Sequence, residues 1–176
     1  KNTAWLSGEE VIAKMTIQEK VGQMTQLTLD VISKGGNQYF SDEPYKLDES
    51  LAKEAIVDYN IGSVLNVANN RARSREVWFQ SISTLQEMAT KETRLKIPLV
   101  YGIDAIHGTT YTAGATMFPQ QIGMAATWNT DIVKQGAKVT AYETRASSIP
   151  WNFSPVLDMG RNPYWPRIWE TYGESQ

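Results

Sequence analysis

The sequence contains no cysteine and only one histidine, His107, among its 176 residues. The lack of cysteine excludes disulfides, thiolate nucleophiles and Cys-ligated zinc within these residues, and a single histidine cannot build a histidine-rich metal site. No run approaches the roughly 18 apolar residues of a membrane span, and the first residues lack the apolar core of a signal peptide. The 17 Lys and Arg residues are dispersed among 19 Asp and Glu. The charge pattern therefore does not favour a nucleic-acid partner.

The composition is that of a folded protein. Apolar residues make up 41% of the chain and charged residues 20%. There is enough apolar mass for one globular domain of average size. Six tryptophans and eight tyrosines are available for packing in the core or at the surface, or against the C–H faces of sugar rings.

The N-terminal segment predicts two helices followed by a loop. Ser7–Glu10 and Thr16–Glu19 both fit a capping box, with a hydroxyl at the N-cap and a carboxylate three residues later. Glycines and a proline mark residues 30–47 as a loop. The residues of the two predicted apolar faces are Val11, Ile12 and Met15 in the first helix, and Val21, Met24 and Leu27 in the second.

From residue 51 onward, short apolar runs alternate with helical patterns. The predicted strands cover residues 61–67, 97–103 and 151–157. The predicted helices cover residues 51–59, a long segment capped by Ser74, and residues 130–145, with inward residues Val77, Ile82, Leu85 and Met88 in the long helix. Continuous apolar strands alternating with helices indicate an α/β fold, with a parallel sheet covered by helices.

Polar residues lie at or directly after the end of each predicted strand: Asn66 at the end of the first, Asp104 after the second and Asp158 after the third. Ligands bind at the carboxyl ends of the strands in parallel α/β folds, so this edge is the expected functional site. Solvation of the loops is the alternative explanation for any one of these residues.

Two parallel architectures remain, a Rossmann sheet and a (β/α)8 barrel. No G-x-G-x-x-G sequence follows a strand and no P-loop is present, which favours the barrel. A complete barrel needs about 250 residues. We therefore expect a partial (β/α)8 barrel, its N-terminal portion only, in a chain that is truncated or completed by another chain.

The segment Tyr101–Gly108, YGIDAIHG, resembles a motif of glycoside hydrolase family 3, the β-glucosidase and exo-β-glucanase family. Further segments resemble the family in the same order and together cover essentially the whole chain: Met15–Met24, Ile61–Val64, Thr116–Pro119, Ala125–Trp128, Glu143–Arg145, Trp151–Asp158, Arg161–Arg167 and Glu170–Glu174. The resemblance implies that residues 1–176 are the N-terminal portion of the family's barrel domain. Residues 1–50 would be the leading helices and loop and residues 51–176 the first βα units, with the remaining barrel and a second domain outside this chain.

The resemblance also implies a function: hydrolysis of O-glycosidic bonds with retention, releasing terminal β-D-glucose from β-glucoside or β-glucan oligosaccharides, with no metal or cofactor. The family's nucleophile Asp and acid/base Glu come from later segments. We therefore expect no catalytic residue in these 176 residues and no activity from them alone. The resemblance favours a periplasmic or secreted compartment, and it implies no nucleic-acid or membrane partner.

Two residues of the chain match the part of the family that binds the terminal sugar. The resemblance implies that Asp104 accepts hydrogen bonds from hydroxyls at the O4/O6 end of the sugar and that Arg167 donates to sugar hydroxyls from the other side. Trp165 is a candidate wall of the site. A planar guanidinium suits adjacent oxygens, and it could also hold the charged state of Asp104. The alternative for Asp104 is a capping or ion-paired carboxylate.

The neighbouring polar residues are predicted to be structural. His107 is expected to hydrogen-bond backbone, and the less favoured alternative is a general base or metal ligand beside Asp104. Arg161 and Glu170 are expected to be loop-ordering partners. The sequence departs from the family's Arg-Asp-Pro-Arg-Trp-Gly-Arg pattern at three positions: Asn162 replaces Asp, Tyr164 replaces Arg and Pro166 replaces Gly. Pro166 fixes φ and removes an N–H, so the backbone of this loop is expected to differ from the family's.

Two other functions remain open at this point. One is a non-catalytic carbohydrate- or partner-binding fragment. The other is an unrelated α/β enzyme that uses Asp104 and His107 with a metal ion.

Overall fold

The computed structural model describes residues 7–37, 39–40 and 42–175. Its helices are α1 (Gly8–Lys14), α2 (Ile17–Met24), α3 (Glu49–Lys53), α4 (Arg75–Glu87), α5 (Gln121–Ala125) and α6 (Thr130–Ala146). Its strands are β1 (Gln26–Thr28), β2 (Ser63–Leu65), β3 (Val100–Ile103) and β4 (Trp151–Asn152). Wider π-helical turns continue α3 over Glu54–Asp58 and α4 over Met88–Glu92. No helix in the described ranges is both long enough and apolar enough to cross a bilayer.

The strands form a parallel sheet whose order follows the chain, β1-β2-β3-β4. Leu27 of β1 lies opposite Val64 of β2, and Ile103 of β3 lies opposite Asn152 of β4, with both pairs of strands parallel. Successive βα units produce this order in a barrel wall. The predicted α/β class and parallel strands are confirmed, and the barrel is not closed by the described residues.

Two short elements were not predicted from the sequence. The pattern assigned Leu27 to the second helix, but α2 ends at Met24 and Leu27 lies in β1. Thr25 ends the helix with extended backbone angles (φ −93°, ψ 137°), and its hydroxyl donates to Val21 O at 2.8 Å. Helix α5 has only five residues, too few for a 3.6-residue period to emerge.

The chain divides into two compact units, the first made of the described residues up to Asn69 together with Ser81–Tyr101. Its core side chains are Leu29, Ile32, Ile56, Val64, Leu85, Leu99 and Tyr101. The predicted inward face of α4 is confirmed in this unit at Ile82, Leu85 and Met88. Gln86 links α4 to the backbone before β3, because its carbonyl accepts from Leu99 N at 3.1 Å and its amide donates to Leu99 O.

The N-terminal helices are capped as predicted but do not bury the predicted faces. Both capping boxes are present. Ile12, Val21 and Met24 are exposed, so the predicted apolar faces are wrong for these residues. Helix α2 instead packs through Gly22, where an added Cβ would lie 2.2 Å from Tyr59 O. Helix α2 is therefore held by a close approach of its backbone to that of Tyr59, which requires glycine, and not by the predicted side-chain contacts.

We expect Gly22→Ala to destabilise the fold even though alanine is the better helix former. The backbone oxygen of Tyr59 cannot rotate away, so overpacking should lower the free energy of unfolding by about 1–3 kcal/mol. The matched control is Gly8→Ala in α1, where nothing lies within 4 Å of the added Cβ. Denaturant unfolding should show that control unchanged or more stable by up to about 1 kcal/mol. Equal stability of the two variants would contradict the packing argument.

An ion pair with a buried carboxylate fixes the start of α2 to the segment after α4. Arg94 Nε donates to Glu19 Oε1 at 2.9 Å, and its Nη2 donates both to Glu19 Oε2 and to Lys14 O. Hydrogen bonds from Arg94, and then from Thr16 N in the capping box, lower the pKa of Glu19 from 4.5 to about 2. The side chain of Glu19 is only 9% exposed and that of Arg94 is 55% exposed, so the carboxylate is the buried partner of the pair.

Because of this pair, the free energy of unfolding should depend on pH between about 4.5 and 2. The folded state lowers the pKa of Glu19, so the stabilisation is complete above pH 4.5 and is lost as the pH falls towards 2. The Tm of wild type should therefore exceed that of Arg94→Gln at pH 7, and this gap should narrow as the pH falls from 4.5 towards 2. Lys91→Gln is the control, since it removes only the exposed Lys91–Glu87 pair. A gap between wild type and Arg94→Gln that is as large at pH 2.5 as at pH 7 would exclude Glu19 as its source.

The second unit contains Asn70–Gln80 and the residues from Gly102 onward. Trp78, Ile103 and Ile149 are its largest buried apolar side chains. Buried hydroxyl pairs join the loop after β3 to α6: Thr109 with Thr144 at 2.8 Å and Thr112 with Ser147 at 2.9 Å. These contacts hold the loop in place, and the loop begins with Asp104.

Candidate functional site

Asp104 lies immediately after β3, at the carboxyl end of a buried strand, and is half-buried. The backbone beside it is pinned by Asn152 of β4, whose side chain accepts from Ala105 N at 3.0 Å and donates to Ala105 O at 3.3 Å. Gly102 lets the ring of Phe153 approach, since an added Cβ would lie 2.4 Å from Phe153 Cζ. The strand pairing therefore fixes the backbone on either side of this carboxylate. Asp104 follows a strand and does not lie at the N-terminus of a helix.

Arg167 is held in the same unit by a carboxylate. Its Nε donates to Glu170 Oε1 at 2.7 Å and its Nη2 donates to Glu170 Oε2 at 2.5 Å. Hydrogen bonding and charge from Glu170 raise the pKa of Arg167, and the charges of Asp104 and Asp158 add to the increase. The structure thus brings Asp104 and Arg167 within electrostatic range of one another.

The turn before Arg167 accounts for Pro166. Ile168 N donates to Trp165 O at 3.3 Å, which closes a four-residue turn. Proline is favoured at the second position of such a turn, and the angles of Arg167 (φ −108°, ψ 21°) are close to those of the third position in a type I turn. Pro166 therefore pre-forms the turn that carries Arg167.

Asn162 and Trp165 belong to the same loop. The side-chain oxygen of Asn162 accepts from Tyr164 N at 3.0 Å, and its backbone oxygen accepts from Trp165 N at 3.0 Å. An aspartate could make the same side-chain bond, so asparagine preserves this part of the loop. Trp165 is half-buried, whereas Tyr164 is 92% exposed.

The two predicted loop-ordering residues have different partners. Glu170 pairs with Arg167, while Arg161 Nε donates to Glu174 O at 3.0 Å. The Arg-x-x-Glu spacing of residues 167 and 170 was the sequence signal that could have predicted the Arg167–Glu170 pair. Both residues bond within the loop, but the prediction that they are partners of one another is wrong.

Tyr111 is a neighbour of this site that sequence reasoning missed. Its backbone oxygen accepts from Arg73 N at 2.9 Å and from Trp78 Nε1 at 3.0 Å. Burial raises the pKa of its hydroxyl, and the charges of Asp104 and Glu170 add to the increase. An aromatic residue in a Gly/Thr-rich loop was the only sequence signal available.

His107 bonds the backbone, as predicted. Its Nδ1 lies 2.8 Å from Phe118 O, and since a carbonyl only accepts, Nδ1 carries the proton. Phe118 N in turn donates to His107 O at 2.8 Å. Among the residues that the structure describes, no group of three or more His, Cys, Asp or Glu residues is arranged to hold a metal ion.

A cavity of about 320 Å³ in the second unit borders the residues next to Asp104, since Ala105 and Asn152 line it. Helix α6 forms much of its wall through Gly136, Thr140 and Thr144, and neither Asp104 nor Arg167 lines it. Its titratable lining residues are His107, Arg145 and Tyr172, with no carboxylate among them. Carboxylate chemistry therefore belongs to the strand end at Asp104 and not to this cavity.

The fold and the site together define part of a parallel α/β barrel protein whose polar site lies at a strand's carboxyl end. Residues 16–176 match the sequence model of the glycosyl hydrolase family 3 N terminal domain. The chain belongs to this family, as the motifs around Asp104 and Arg167 predicted.

Similar proteins support the same assignment. The chain is 37% identical to a lysosomal beta glucosidase of Dictyostelium discoideum over 95% of its length, and 31% identical to a periplasmic beta-glucosidase of Salmonella typhimurium over 94%. It spans 20% and 18% of those two proteins. The crystal structure of an exo-1,3/1,4-beta-glucanase from a Pseudoalteromonas species superimposes with a TM-score of 0.71 at 32% identity, covering 93% of this chain and 19% of that one.

Proposed function

We propose that the natural protein carrying this chain is a retaining, β-glucosidase-like exo-hydrolase that releases terminal β-D-glucose from β-linked oligosaccharides. The chain supplies part of the subsite that binds the terminal sugar. The observation that carries the proposal is the placement of Asp104 at a strand end, within electrostatic range of the Glu170-paired Arg167, in a chain of the glycosyl hydrolase family 3 N terminal domain.

The two charged residues have complementary roles in this proposal. Asp104 offers carboxylate oxygens that accept from neighbouring sugar hydroxyls, and Arg167 offers N–H groups that donate to sugar oxygens. Trp165, half-buried in the same loop, provides an aromatic face for the C–H side of the ring. Charge-assisted hydrogen bonds at one end of the sugar fix its position relative to the reacting carbon.

The chemistry in this proposal is two-step displacement at the anomeric carbon. One carboxylate attacks that carbon and forms a glycosyl-enzyme, while a second carboxyl group protonates the leaving oxygen and then activates water. Both groups come from outside the 176 residues. Asp104 and Arg167 act by binding and orienting the sugar, and the distortion of the ring towards the transition state strengthens their hydrogen bonds.

The same relatives support our proposal for the substrate and the compartment. A lysosomal and a periplasmic beta-glucosidase and an exo-1,3/1,4-beta-glucanase resemble the chain. We propose β-glucosides or β-glucan oligosaccharides as substrates and a compartment outside the cytoplasm.

The proposal is tested on the protein as its gene encodes it. The purified protein should hydrolyse aryl β-D-glucosides, and NMR should show β-D-glucose as the first-formed product. A 2-deoxy-2-fluoro-β-glucoside should label it, with the adduct on an aspartate outside residues 1–176. α-D-Glucose as the first product, or no turnover of β-glucosides, would overturn the proposal. Glucose binding without turnover would favour a non-catalytic carbohydrate-binding protein instead.

A further inference from the structure

Glu170 is a buried carboxylate whose two oxygens are both committed to one guanidinium. Its side chain is 9% exposed, while that of Arg167 is 57% exposed. The two hydrogen bonds, 2.7 Å from Nε and 2.5 Å from Nη2, run side by side along one edge of the guanidinium. The pair therefore has an inner, buried partner and an outer partner that reaches solvent.

The donor count of Arg167 shows what this pairing leaves available. A guanidinium has five N–H donors. Two of them bond to Glu170, and the other three make no hydrogen bond to any residue in the described ranges. These three belong to Nη1 and to the second hydrogen of Nη2, on the edges that Glu170 does not cover. Arg167 thus keeps donors for a ligand while its rotation is blocked.

The backbone around Glu170 is itself fixed. Glu170 N donates to Arg167 O at 3.0 Å, and the hydroxyl of the buried Thr171 donates to Ile168 O at 2.8 Å. Gly160 N donates to Gly173 O at 2.9 Å, and an added Cβ at Gly160 would lie 2.6 Å from Thr171 Oγ1. The carboxylate is therefore attached to a turn that has little freedom to move.

We propose that Glu170 is a positioning residue for sugar binding, which acts by clamping one edge of Arg167 so that the remaining N–H groups face the ligand. The inference rests on the proposed function, in which Arg167 contacts the sugar. Glu170 itself makes no contact with the sugar and acts only through Arg167. A flexible arginine would lose side-chain entropy on binding, and the clamp removes that freedom in advance. Glu170 also keeps the guanidinium from turning its fork towards Asp104.

A double-mutant cycle in the natural protein tests this role. The variants are Glu170→Ala, Arg167→Ala and the combination, and kcat/KM and Tm are measured for each on an aryl β-glucoside. We expect Glu170→Ala to lower kcat/KM about tenfold in the wild-type background and less than twofold in the Arg167→Ala background. The reason is that a residue acting only through Arg167 has nothing to position once Arg167 is gone.

A merely structural role predicts a different pattern. It would lower Tm and reduce activity by the same factor in both backgrounds, which would overturn the proposal. Glu170→Gln keeps the shape and one acceptor, so it should fold and show a loss intermediate between wild type and Glu170→Ala. Glu174→Gln, which changes an exposed carboxylate of the same loop, is the matched control and should match wild type. Wild-type activity of both Glu170 variants would also overturn the proposal.

The same cycle separates this inference from the proposed function. If Arg167→Ala retains wild-type kcat/KM, the sugar-binding role of Arg167 fails and the inference fails with it. If Arg167→Ala is impaired and Glu170→Ala is not, the proposed function stands and only the positioning role is wrong.

Discussion

Asp104→Ala in the natural protein is expected to lower kcat/KM at least tenfold to hundredfold while leaving Tm nearly unchanged. Loss of a hydrogen bond to a charged group costs about 1.5–3 kcal/mol. About 1.4 kcal/mol corresponds to a factor of ten in rate, so two hydroxyls sharing the carboxylate would bring the loss beyond a hundredfold. The buried Ile103 and the hydrogen bonds between Asn152 and Ala105 hold the backbone on either side of Asp104, so we expect the fold to tolerate the substitution.

The prediction requires activity and stability to be measured on one preparation. Asp104→Asn keeps the size and removes the charge, so it should fall between wild type and Asp104→Ala. Asp58→Ala is the matched control, because it removes an exposed carboxylate that belongs to the first unit. Near-wild-type kcat/KM with a lowered Tm would assign Asp104 a structural role and refute the sugar-binding one.

The parts of the fold that the sequence predicted are those encoded locally. The capping boxes at Ser7 and Thr16 form because each needs only four consecutive residues. The parallel strands after residue 60 follow from apolar runs separated by helical periods. Strand β1 was missed because its three residues, Gln26–Thr28, are too few to show a pattern beside the end of α2.

The exposed faces of α1 and α2 show where periodicity misleads. Ile12, Val21 and Met24 recur at helical spacing, yet all three are exposed in the described structure. Helix α2 is held instead by the backbone approach at Gly22 and by the Glu19–Arg94 pair, which joins residues 75 positions apart. Neither contact leaves a local pattern, so only the structure reveals them.

The candidate site was predicted in its residues but not in its pairing. Motif resemblance identified Asp104 and Arg167, and the structure brings them within electrostatic range. Glu170 pairs with Arg167, which follows the turn at Pro166, and not with Arg161. Pro166, which departs from the family pattern, therefore fits the turn of the loop. Only the backbone angles at Arg167 reveal this.

Arg167→Lys should lower kcat/KM by at least about tenfold, although the positive charge is retained. Lysine is a point charge with three donors on a flexible stem, whereas arginine presents a planar fork. The buried Glu170 carboxylate would hold the ammonium, which leaves too few donors, badly aimed, for the sugar. Glucose should also inhibit the variant more weakly, because the lost contacts serve the terminal sugar in ground and transition states.

Arg161→Lys is the control that isolates the role of Arg167 from a general need for arginine in this loop. Arg161 is exposed and its Nε donates to the backbone oxygen of Glu174 at 3.0 Å, a bond that an ammonium can replace. We expect this control to lose less than threefold in kcat/KM and to keep the wild-type inhibition constant for glucose. Equal losses in the two variants would mean that the loop requires arginine for its shape, and that Arg167 has no particular role in binding the sugar.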